Sequence, residues 1–171
     1  MSCSKWLFQY RNDIFVETGT GGGGGIQNAL KYGFNEIHSI EIQPKLYELC
    51  KKLFKNNQNV HLYLGDSLDI LPKILSKIEK QTTFLLDAHV MKLSELQGKV
   101  ICPVLKELEF IITHSKNKNI KHHSIIIDDV KFFNGKTESF GKIKLNDIQK
   151  SILDVDPTYV IKTYRRMIVA K

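Results

Sequence analysis

The chain has 171 residues, of which 42% are hydrophobic and 25% are charged. This length favours a single domain, and the composition excludes disordered and fibrous proteins. There is no apolar run of the roughly 18 residues that a membrane-spanning helix needs, and the first residues lack the apolar segment of a secretion signal. We therefore expect one soluble, cytoplasmic domain over residues 1–171, with no membrane partner.

The charge balance is positive, because 25 Lys and Arg residues face 18 Asp and Glu residues and leave a net charge of +7. Such a field favours anionic partners, among them nucleotides, nucleotide-sugars and nucleic acids, without choosing between them. The three cysteines are widely spaced and form no Cys-x-x-Cys pair. They predict reduced thiols and exclude a disulfide framework or a zinc site of that pattern.

Apolar segments of strand length alternate with segments of helical period along the first half of the chain. This alternation predicts an α/β domain with a mostly parallel sheet that helices cover on both faces. Strands are predicted at residues 14–17, 36–42 and 60–64, and helices at residues 26–32, 44–55 and 68–80. In the second helix, five apolar residues at helical spacing are predicted to share one buried face: Leu46, Leu49, Cys50, Leu53 and Phe54.

The second half continues the alternation. Strands are predicted at residues 83–86 and 124–127, helices at residues 103–113 and 145–153, and a closing β-hairpin at residues 159–164 and 167–170. Between the fourth helix and the fifth strand, the Lys- and Asn-rich residues 116–119 are predicted to form a solvated connection, and His122 and His123 to lie at the surface.

Acidic residues follow five of the predicted parallel strands. The carboxyl ends of such strands meet at one edge of the sheet, where open α/β sheets bind their ligands. A single acid in this position is equally well explained as a helix N-cap, and for Asp66 alone both interpretations stay open. Five strands that all end this way favour a ligand site formed by these acids: Glu17, Glu41, Asp66, Asp87, Asp128 and Asp129.

A glycine-rich turn joins the first predicted strand to the first helix, since residues 19–25 are all glycine except Thr20. Glycine has no Cβ and accepts positive φ, so the backbone amides of this turn can approach a ligand closely. Glu41 ends the second strand 22 residues after Gly19 (41 − 19), where a carboxylate commonly accepts hydrogen bonds from ribose hydroxyls. The alternative is a flexible turn that binds nothing.

These motifs resemble the class I, Rossmann-like methyltransferases that use S-adenosylmethionine, whose glycine motif begins with an acid at the end of the first strand, as Glu17 does here. The resemblance covers residues 14–171 and implies a three-layer α/β/α sandwich with seven strands and an antiparallel C-terminal hairpin. It also implies which residues bind the cofactor. Glu41 would contact the ribose, and Asp66 and Ser67 would contact the adenine edge. The rest of the cofactor, chiefly its amino-acid portion, would be bound by seven further residues: Glu17, Thr18, Gly19, Gly21, Gly22, Gly23 and Asp87.

A narrower resemblance is to the metal-dependent O-methyltransferases of the catechol, caffeoyl and sugar-methylating types. It rests on Asp87 after the fourth strand and on Asp128 and Asp129 after the fifth, and it implies that these acids hold a divalent cation. Three converging carboxylates repel one another unless a cation neutralises them, and oxygen ligands suit Mg²⁺. The alternative is that the acids act as N-caps and cofactor contacts.

His89, two residues after Asp87, is a candidate general base or substrate ligand, because histidine ordinarily titrates near neutral pH. Catechol-type enzymes use a lysine shortly after the metal-binding acid, which makes Lys92 a rival. A solvated loop histidine without a function is the third interpretation. We therefore assign Asp87 and His89 as the candidate catalytic residues.

The resemblance implies methyl transfer to a hydroxyl of a small molecule. A sugar or nucleotide-sugar acceptor is preferred, because the positive charge suits a pyrophosphate and paired sugar hydroxyls can chelate a metal. Nucleic acid is not favoured, since the basic segment at residues 116–119 has no interleaved aromatic residues and no Asn-Pro-Pro-Tyr motif is present. The alternatives are a nucleic-acid or protein methyltransferase and a non-catalytic module that binds S-adenosylmethionine.

Only 13 residues precede the first predicted strand, too few for the helices with which many members of this family cover the active site. We therefore expect the acceptor to be recognised by residues 6–10, 90–101 or 131–143, or by a neighbouring subunit in a homodimer.

Overall fold

The computed structural model describes residues 10–89 and 100–171. Seven strands lie in one sheet: β1 (Ile14–Thr18), β2 (Glu36–Glu41), β3 (Val60–Leu64), β4 (Thr82–Leu86), β5 (Ser124–Ile127), β6 (Ile161–Tyr164) and β7 (Met167–Ala170). Five α-helices accompany them: α1 (Gly24–Lys31), α2 (Pro44–Leu53), α3 (Ser67–Leu75), α4 (Val104–Lys118) and α5 (Leu145–Val155). Two 3₁₀ turns, Val130–Phe132 and Glu138–Phe140, follow β5.

The strand order is β3-β2-β1-β4-β5-β7-β6. Strands β1 to β5 are parallel, whereas β7 runs antiparallel to both β5 and β6. The prediction of a mostly parallel seven-stranded sheet with an antiparallel hairpin is therefore confirmed. The chain winds away from β1 in one direction and restarts at β4 on the other side, so a crevice forms between their carboxyl ends.

Side chains that alternate along the strands build a separate core on each face of the sheet. Val16 and Phe84 belong to one core, which the helices α3, α4 and α5 complete. Phe15 and Leu85, their neighbours in sequence, belong to the other core, which includes residues of α1 and α2. Two cores on opposite faces of one sheet make the predicted three-layer α/β/α sandwich.

Two helices end five residues from their predicted limits. Helix α3 stops at Leu75 instead of residue 80, and beyond it the N–H groups of Lys77 and Ile78 bond three residues back, to Ile74 and Leu75, instead of four. Helix α4 extends to Lys118, where Asn119 adopts a left-handed conformation (φ 51°) and ends it. The basic segment at residues 116–119, predicted as a connection, is therefore mostly the exposed last turn of a helix.

The predicted apolar face of α2 is only partly buried. Cys50 and the following Phe54 pack into the core, but 46% of Leu49 and 53% of Leu53 are exposed. Helix α2 contacts β2 and β3, at one end of the sheet. Since β3 is the outermost strand there, the sheet covers only a narrow stripe of the helix.

The surface prediction is right for His122 and wrong for His123. His123 is fully buried, and its Nδ1 accepts a hydrogen bond (3.1 Å) from the backbone N–H of Thr82 at the start of β4. Burial lowers the pKa of His123 to about 4. Within residues 10–89 and 100–171, no helix is long and apolar enough to cross a membrane.

Candidate active site at the carboxyl edge of the sheet

Two adjoining cavities, of about 550 Å³ and about 560 Å³, open at the carboxyl edge of the sheet. The first, named here the Glu41 lobe, is also lined by Asp66, Ser67, His89 and Asp129. The second is named the Glu17 lobe and includes much of the glycine turn and Asp128. Both lobes share four residues: Gly19, Gly21, Asp87 and Arg166. A ligand at this junction could therefore occupy both lobes.

Some glycines of the turn are required by close packing. Gly19 has a φ of +82°, and a Cβ there would lie 2.6 Å from the carbonyl oxygen of Asp87. A Cβ on Gly25 would lie only 1.6 Å from Oε1 of Glu17. The turn thus lies against both β1 and the end of β4, at distances that only glycine permits.

Other glycines of the turn border open space. A Cβ placed on Gly21, Gly22 or Gly24 would meet no heavy atom within 4 Å, and all three residues line the Glu17 lobe. Gly23 differs, because its Cβ would approach the ring of Phe54 at 2.7 Å, and it lines neither lobe. The turn therefore forms an open cradle beside the cavity, and the structure does not bring Gly23 to it.

Glu41 ties the glycine turn to the end of β2. Its Oε2 accepts the N–H of Gly21 at 2.8 Å and its Oε1 accepts the N–H of Gln43 at 2.8 Å. Each carboxylate oxygen has a second lone pair. Glu41 can therefore still accept hydrogen bonds from two hydroxyls in the Glu41 lobe.

Glu17 is the buried acid below the turn, with 2% of its surface exposed. The hydroxyl of Ser39 donates to its Oε2 at 2.7 Å. Burial raises the pKa of Glu17 to about 8, although the hydrogen bond from Ser39 opposes the shift. A cationic group in the Glu17 lobe would favour the charged form of this carboxyl.

Asp66 lies where it can act both as a helix N-cap and as a ligand contact, the two interpretations that the sequence left open. Its Oδ1 accepts the N–H of Leu68 at 2.9 Å and caps α3, and it also lines the Glu41 lobe beside Ser67. Thr18 lines neither lobe. Its hydroxyl instead donates to Oε2 of Glu107 at 3.3 Å, beneath the edge of the sheet.

Asp87, His89 and Asp129 converge in the Glu41 lobe. His89 Nδ1 lies 3.6 Å from Oδ1 of Asp87, and His89 Nε2 lies 3.5 Å from Oδ2 of Asp129. One ligand atom from each residue lies within 4.8 Å of the others, a spacing that suits a metal ion. Among the described residues, nothing donates a hydrogen bond to the buried Oδ1 of Asp87. The donor set therefore fits a divalent cation.

Burial and the neighbouring carboxylates shift the pKa values of Asp87 and His89. Burial, followed by the charges of Asp128 and Asp129, raises the pKa of Asp87 to about 7. Burial lowers the pKa of His89 despite the opposing charge of Asp129. His89 packs against Phe140, with ring centroids 4.5 Å apart. A neutral imidazole in this position can ligate a metal or accept a proton.

The role of Asp128 as a metal ligand stays a prediction, and its oxygens already have hydrogen-bond donors. Nε and Nη2 of Arg166 donate to its two oxygens, each at 2.6 Å, and the N–H of Asp129 also donates to Oδ1 at 2.6 Å. Both oxygens are thus engaged by a guanidinium. Within residues 10–89 and 100–171, the group with a spacing that could hold a metal ion comprises Asp87, His89 and Asp129 and does not include Asp128.

Sequence reasoning missed Arg166 and Glu107. Arg166 lies in an ordinary hairpin turn, and no local pattern marks it. Glu107 is 1% exposed, and burial raises its pKa to about 7 while hydrogen bonds from Ser67 and Thr18 oppose the shift. A signal for Glu107 did exist, because it occupies an apolar-face position of α4, between Val104 and Leu108.

The segments predicted to recognise the acceptor lie only partly within the described residues. Residues 6–9 and 90–99, including the rival base Lys92, lie outside the described residues. From the other predicted segments, four residues line the Glu41 lobe: Val100, Ile101, Lys131 and Phe132. Apolar side chains therefore line this lobe together with the acids.

Comparison with known proteins yields structural matches alone. No protein-family model and no curated protein matches the chain. A methyltransferase from Podospora anserina bound to SAH is 14% identical with a TM-score of 0.64, over 98% of this chain and 74% of the other. An O-methyltransferase from Bacillus cereus in complex with SAH is 16% identical with a TM-score of 0.61, over 98% and 77%. Aeropyrum pernix fibrillarin with natively bound S-adenosyl-L-methionine is 14% identical with a TM-score of 0.56, over 93% and 66%.

These matches show the fold. The chain folds as class I, Rossmann-like S-adenosylmethionine-dependent methyltransferases do, and the predicted resemblance is confirmed at that level. At identities of 14% and 16%, the activity has to be argued from the residues of the cleft.

Proposed function

We propose that this protein is an O-methyltransferase that moves the methyl group of S-adenosylmethionine to a hydroxyl of a small molecule, with assistance from a divalent cation. The observation that carries the proposal is the shared cleft. Asp87 lines both lobes, so the glycine turn with Glu41 adjoins the cluster of Asp87, His89 and Asp129. The likeness to methyltransferases bound to SAH supports this use of the cleft.

The cofactor would lie across both lobes. Glu41 keeps lone pairs for the ribose hydroxyls, and Asp66 and Ser67 border the same lobe at the adenine side. The amino-acid portion would lie along the open glycines Gly21 and Gly22 in the Glu17 lobe, where Glu17 would favour its ammonium group. Thr18 and Gly23 would act through packing, since they line neither lobe.

In the reaction, the acceptor oxygen attacks the methyl carbon of S-adenosylmethionine. An O–C bond forms as the C–S bond breaks, and the hydroxyl proton passes to a base. A bound cation would lower the pKa of the hydroxyl and orient it. His89 would serve either as the third cation ligand or as the base, and alignment of the two reactants supplies much of the remaining acceleration.

The preferred acceptor is a sugar or a nucleotide-sugar. Two cationic residues, Lys131 and Arg166, line the Glu41 lobe beside the acids, and they would attract a pyrophosphate. Neighbouring sugar hydroxyls would chelate the cation held by Asp87 and Asp129. Methylation by the purified protein of members of a nucleotide-sugar panel would support this preference, and exclusive methylation of protein or RNA would overturn it. A homodimer, as a further source of acceptor contacts, is tested by the mass of the protein in solution.

The decisive experiment is calorimetric titration with S-adenosylhomocysteine, the demethylated product, in Mg²⁺ and again in EDTA. NADH is the comparison ligand, because other Rossmann-like proteins bind dinucleotides. Micromolar binding of S-adenosylhomocysteine without binding of NADH would support the proposed cofactor. Absence of binding, or a preference for NADH, would contradict it. Cation-dependent turnover separates an enzyme from a module that only binds the cofactor.

A further inference from the structure

Arg166 is held in a fixed orientation by Asp128. Its Nε and Nη2 donate to the two oxygens of Asp128, both at 2.6 Å, which is the two-pronged geometry of a strong guanidinium-carboxylate pair. The backbone is fixed as well, because the carbonyl oxygen of Arg166 accepts the N–H of Val130 at 2.8 Å. The hairpin turn is therefore attached to the loop after β5, and the guanidinium has a defined position.

The remaining nitrogen of this guanidinium is available to a ligand. Among residues 10–89 and 100–171, no acceptor hydrogen-bonds to Nη1 of Arg166, and 60% of the side chain is exposed. The residue lines both lobes of the cleft. A donor held at the junction of two cavities, with its orientation fixed by a buried acid, has the features of a prearranged anion contact.

The acids of the Glu17 lobe provide no partner for an anionic group of a ligand. Glu17, Asp87 and Asp128 line it, and the amino-acid portion of the cofactor would bring an ammonium and a carboxylate. The acids suit the ammonium but repel the carboxylate. Arg165 and Arg166 both line this lobe, and the charge of Arg166 interacts with Asp128, Asp129 and Asp87.

We propose that Arg166, oriented by Asp128, binds the α-carboxylate of the cofactor's amino-acid portion. This assignment rests on the proposed function, and it gives Asp128 the role of a positioning residue. Because Nε and Nη2 are already satisfied by Asp128, Nη1 can donate to the carboxylate without drawing Arg166 toward Asp87.

The test compares two ligands that differ only in the carboxylate. S-adenosylhomocysteine carries it, and decarboxylated S-adenosylhomocysteine keeps the adenosine, the sulfur and the ammonium. We expect Arg166→Gln to weaken binding of the first ligand by about tenfold to a hundredfold, the range for a lost charge-assisted hydrogen bond, and to change binding of the second little. Calorimetry gives the ratio of the two dissociation constants.

Two further variants test the role of Asp128 and of charge alone. Asp128→Asn removes the charge that orients the guanidinium. We expect it to reduce the preference for S-adenosylhomocysteine over the decarboxylated ligand, but by less than Arg166→Gln does. Lys162→Gln is the matched control. Lys162 is an exposed residue of β6 in the same hairpin, and its substitution removes the same charge. It should leave the ratio of dissociation constants unchanged.

The outcomes are distinct. An equal loss of affinity for both ligands in Arg166→Gln would mean that Arg166 has only a structural role and would overturn the assignment. Unchanged binding of S-adenosylhomocysteine would overturn it too. Arg166→Lys, which keeps the charge but loses the two-pronged pair, should show intermediate selectivity if the fold is intact by circular dichroism. Failure of the unaltered protein to bind either ligand would instead remove the proposed function, and the assignment with it.

Discussion

A β-carbon on residue 25 would overlap Oε1 of Glu17 at 1.6 Å, so Gly25 and the buried carboxyl depend on each other. Gly25→Ala should therefore displace Glu17 and lower the free energy of unfolding by about 1 to 3 kcal/mol, the usual cost of overpacking. Thermal unfolding measures the change.

Gly24→Ala is the matched control for this prediction. Position 24 is the first residue of α1, and a Cβ there would meet no atom within 4 Å. The substitution should be neutral or stabilise the protein by about 0.4 to 1 kcal/mol, because alanine restricts the unfolded chain. Equal destabilisation by both variants would contradict the packing of Gly25 on Glu17.

Asp129 provides a direct test of the cation site. Asp129→Asn should weaken Mn²⁺ or Mg²⁺ binding by about tenfold or more, a loss that even residues outside the ligand shell of metal sites can cause. Binding of S-adenosylhomocysteine in EDTA should be retained, since Asp129 is not among the residues proposed to contact the cofactor. Asp154→Asn, in the exposed part of α5, removes the same charge as a control. A cation response that survives in Asp129→Asn would contradict the site.

The relative affinity for two metals can reveal whether His89 is a cation ligand or the base. An imidazole ligand favours Mn²⁺ and later transition metals over Mg²⁺, which prefers oxygen. If His89 ligates the cation, His89→Asp should shift the ratio of Mn²⁺ to Mg²⁺ affinity toward Mg²⁺. If His89 is the base, the ratio should not change and turnover should be lost. Metal titrations and initial rates on the same variant distinguish the two roles.

The buried carboxyl of Glu107 should make stability fall as the pH rises. Burial raises its pKa from the ordinary 4.5 to about 7, so between these values the folded protein holds a proton that the unfolded chain has released. The resulting stability is complete below pH 4.5 and is lost as the pH rises through 7. Glu107→Gln should remove this pH-dependent contribution to the free energy of unfolding, which is on the order of 3 kcal/mol for a shift from 4.5 to about 7. Urea unfolding at several pH values measures the difference, and parallel profiles would refute the prediction.

The buried His123 should have the opposite effect and make stability fall as the pH drops. Burial lowers its pKa from the ordinary 6.5 to about 4, so in this interval the unfolded chain binds a proton that the folded protein does not. Stability is complete above pH 6.5 and falls as the pH drops toward 4. His123→Asn, whose Oδ1 can accept the N–H of Thr82, should have a flatter acid limb in the same unfolding series. An unchanged acid limb would show that His123 takes up its proton equally in the folded and unfolded states.

The strands were largely predictable from the sequence because their patterns are local. Residues 60–64 and 124–127 form β3 and β5 within the predicted bounds, and the acid after each strand correctly marked the edge at which the cavities open. Helix ends were less predictable, since α3 ends where its backbone bonds change from four residues back to three, which no local pattern marks.

The partners of the polar residues could not be predicted, because they come from distant parts of the chain. Asp128 is separated from Arg166 by 38 residues, and Thr82 from His123 by 41. Local sequence presents Asp128 and Asp129 as equivalent acids. Their different environments arise only when the C-terminal hairpin pairs with β5 and brings Arg166 into hydrogen bonds with both oxygens of Asp128, while its Nε lies 3.6 Å from Oδ1 of Asp129.

The approach of Gly19 to the carbonyl of Asp87 also bears on how the cleft can move. A Cβ at Gly19 would lie 2.6 Å from that oxygen, so the backbones of the two loops are in contact. The segment proposed to hold the cofactor therefore cannot shift toward β4 without displacing the carboxylate proposed to hold the cation. We therefore expect the glycine turn and the loop that carries Asp87 to move together.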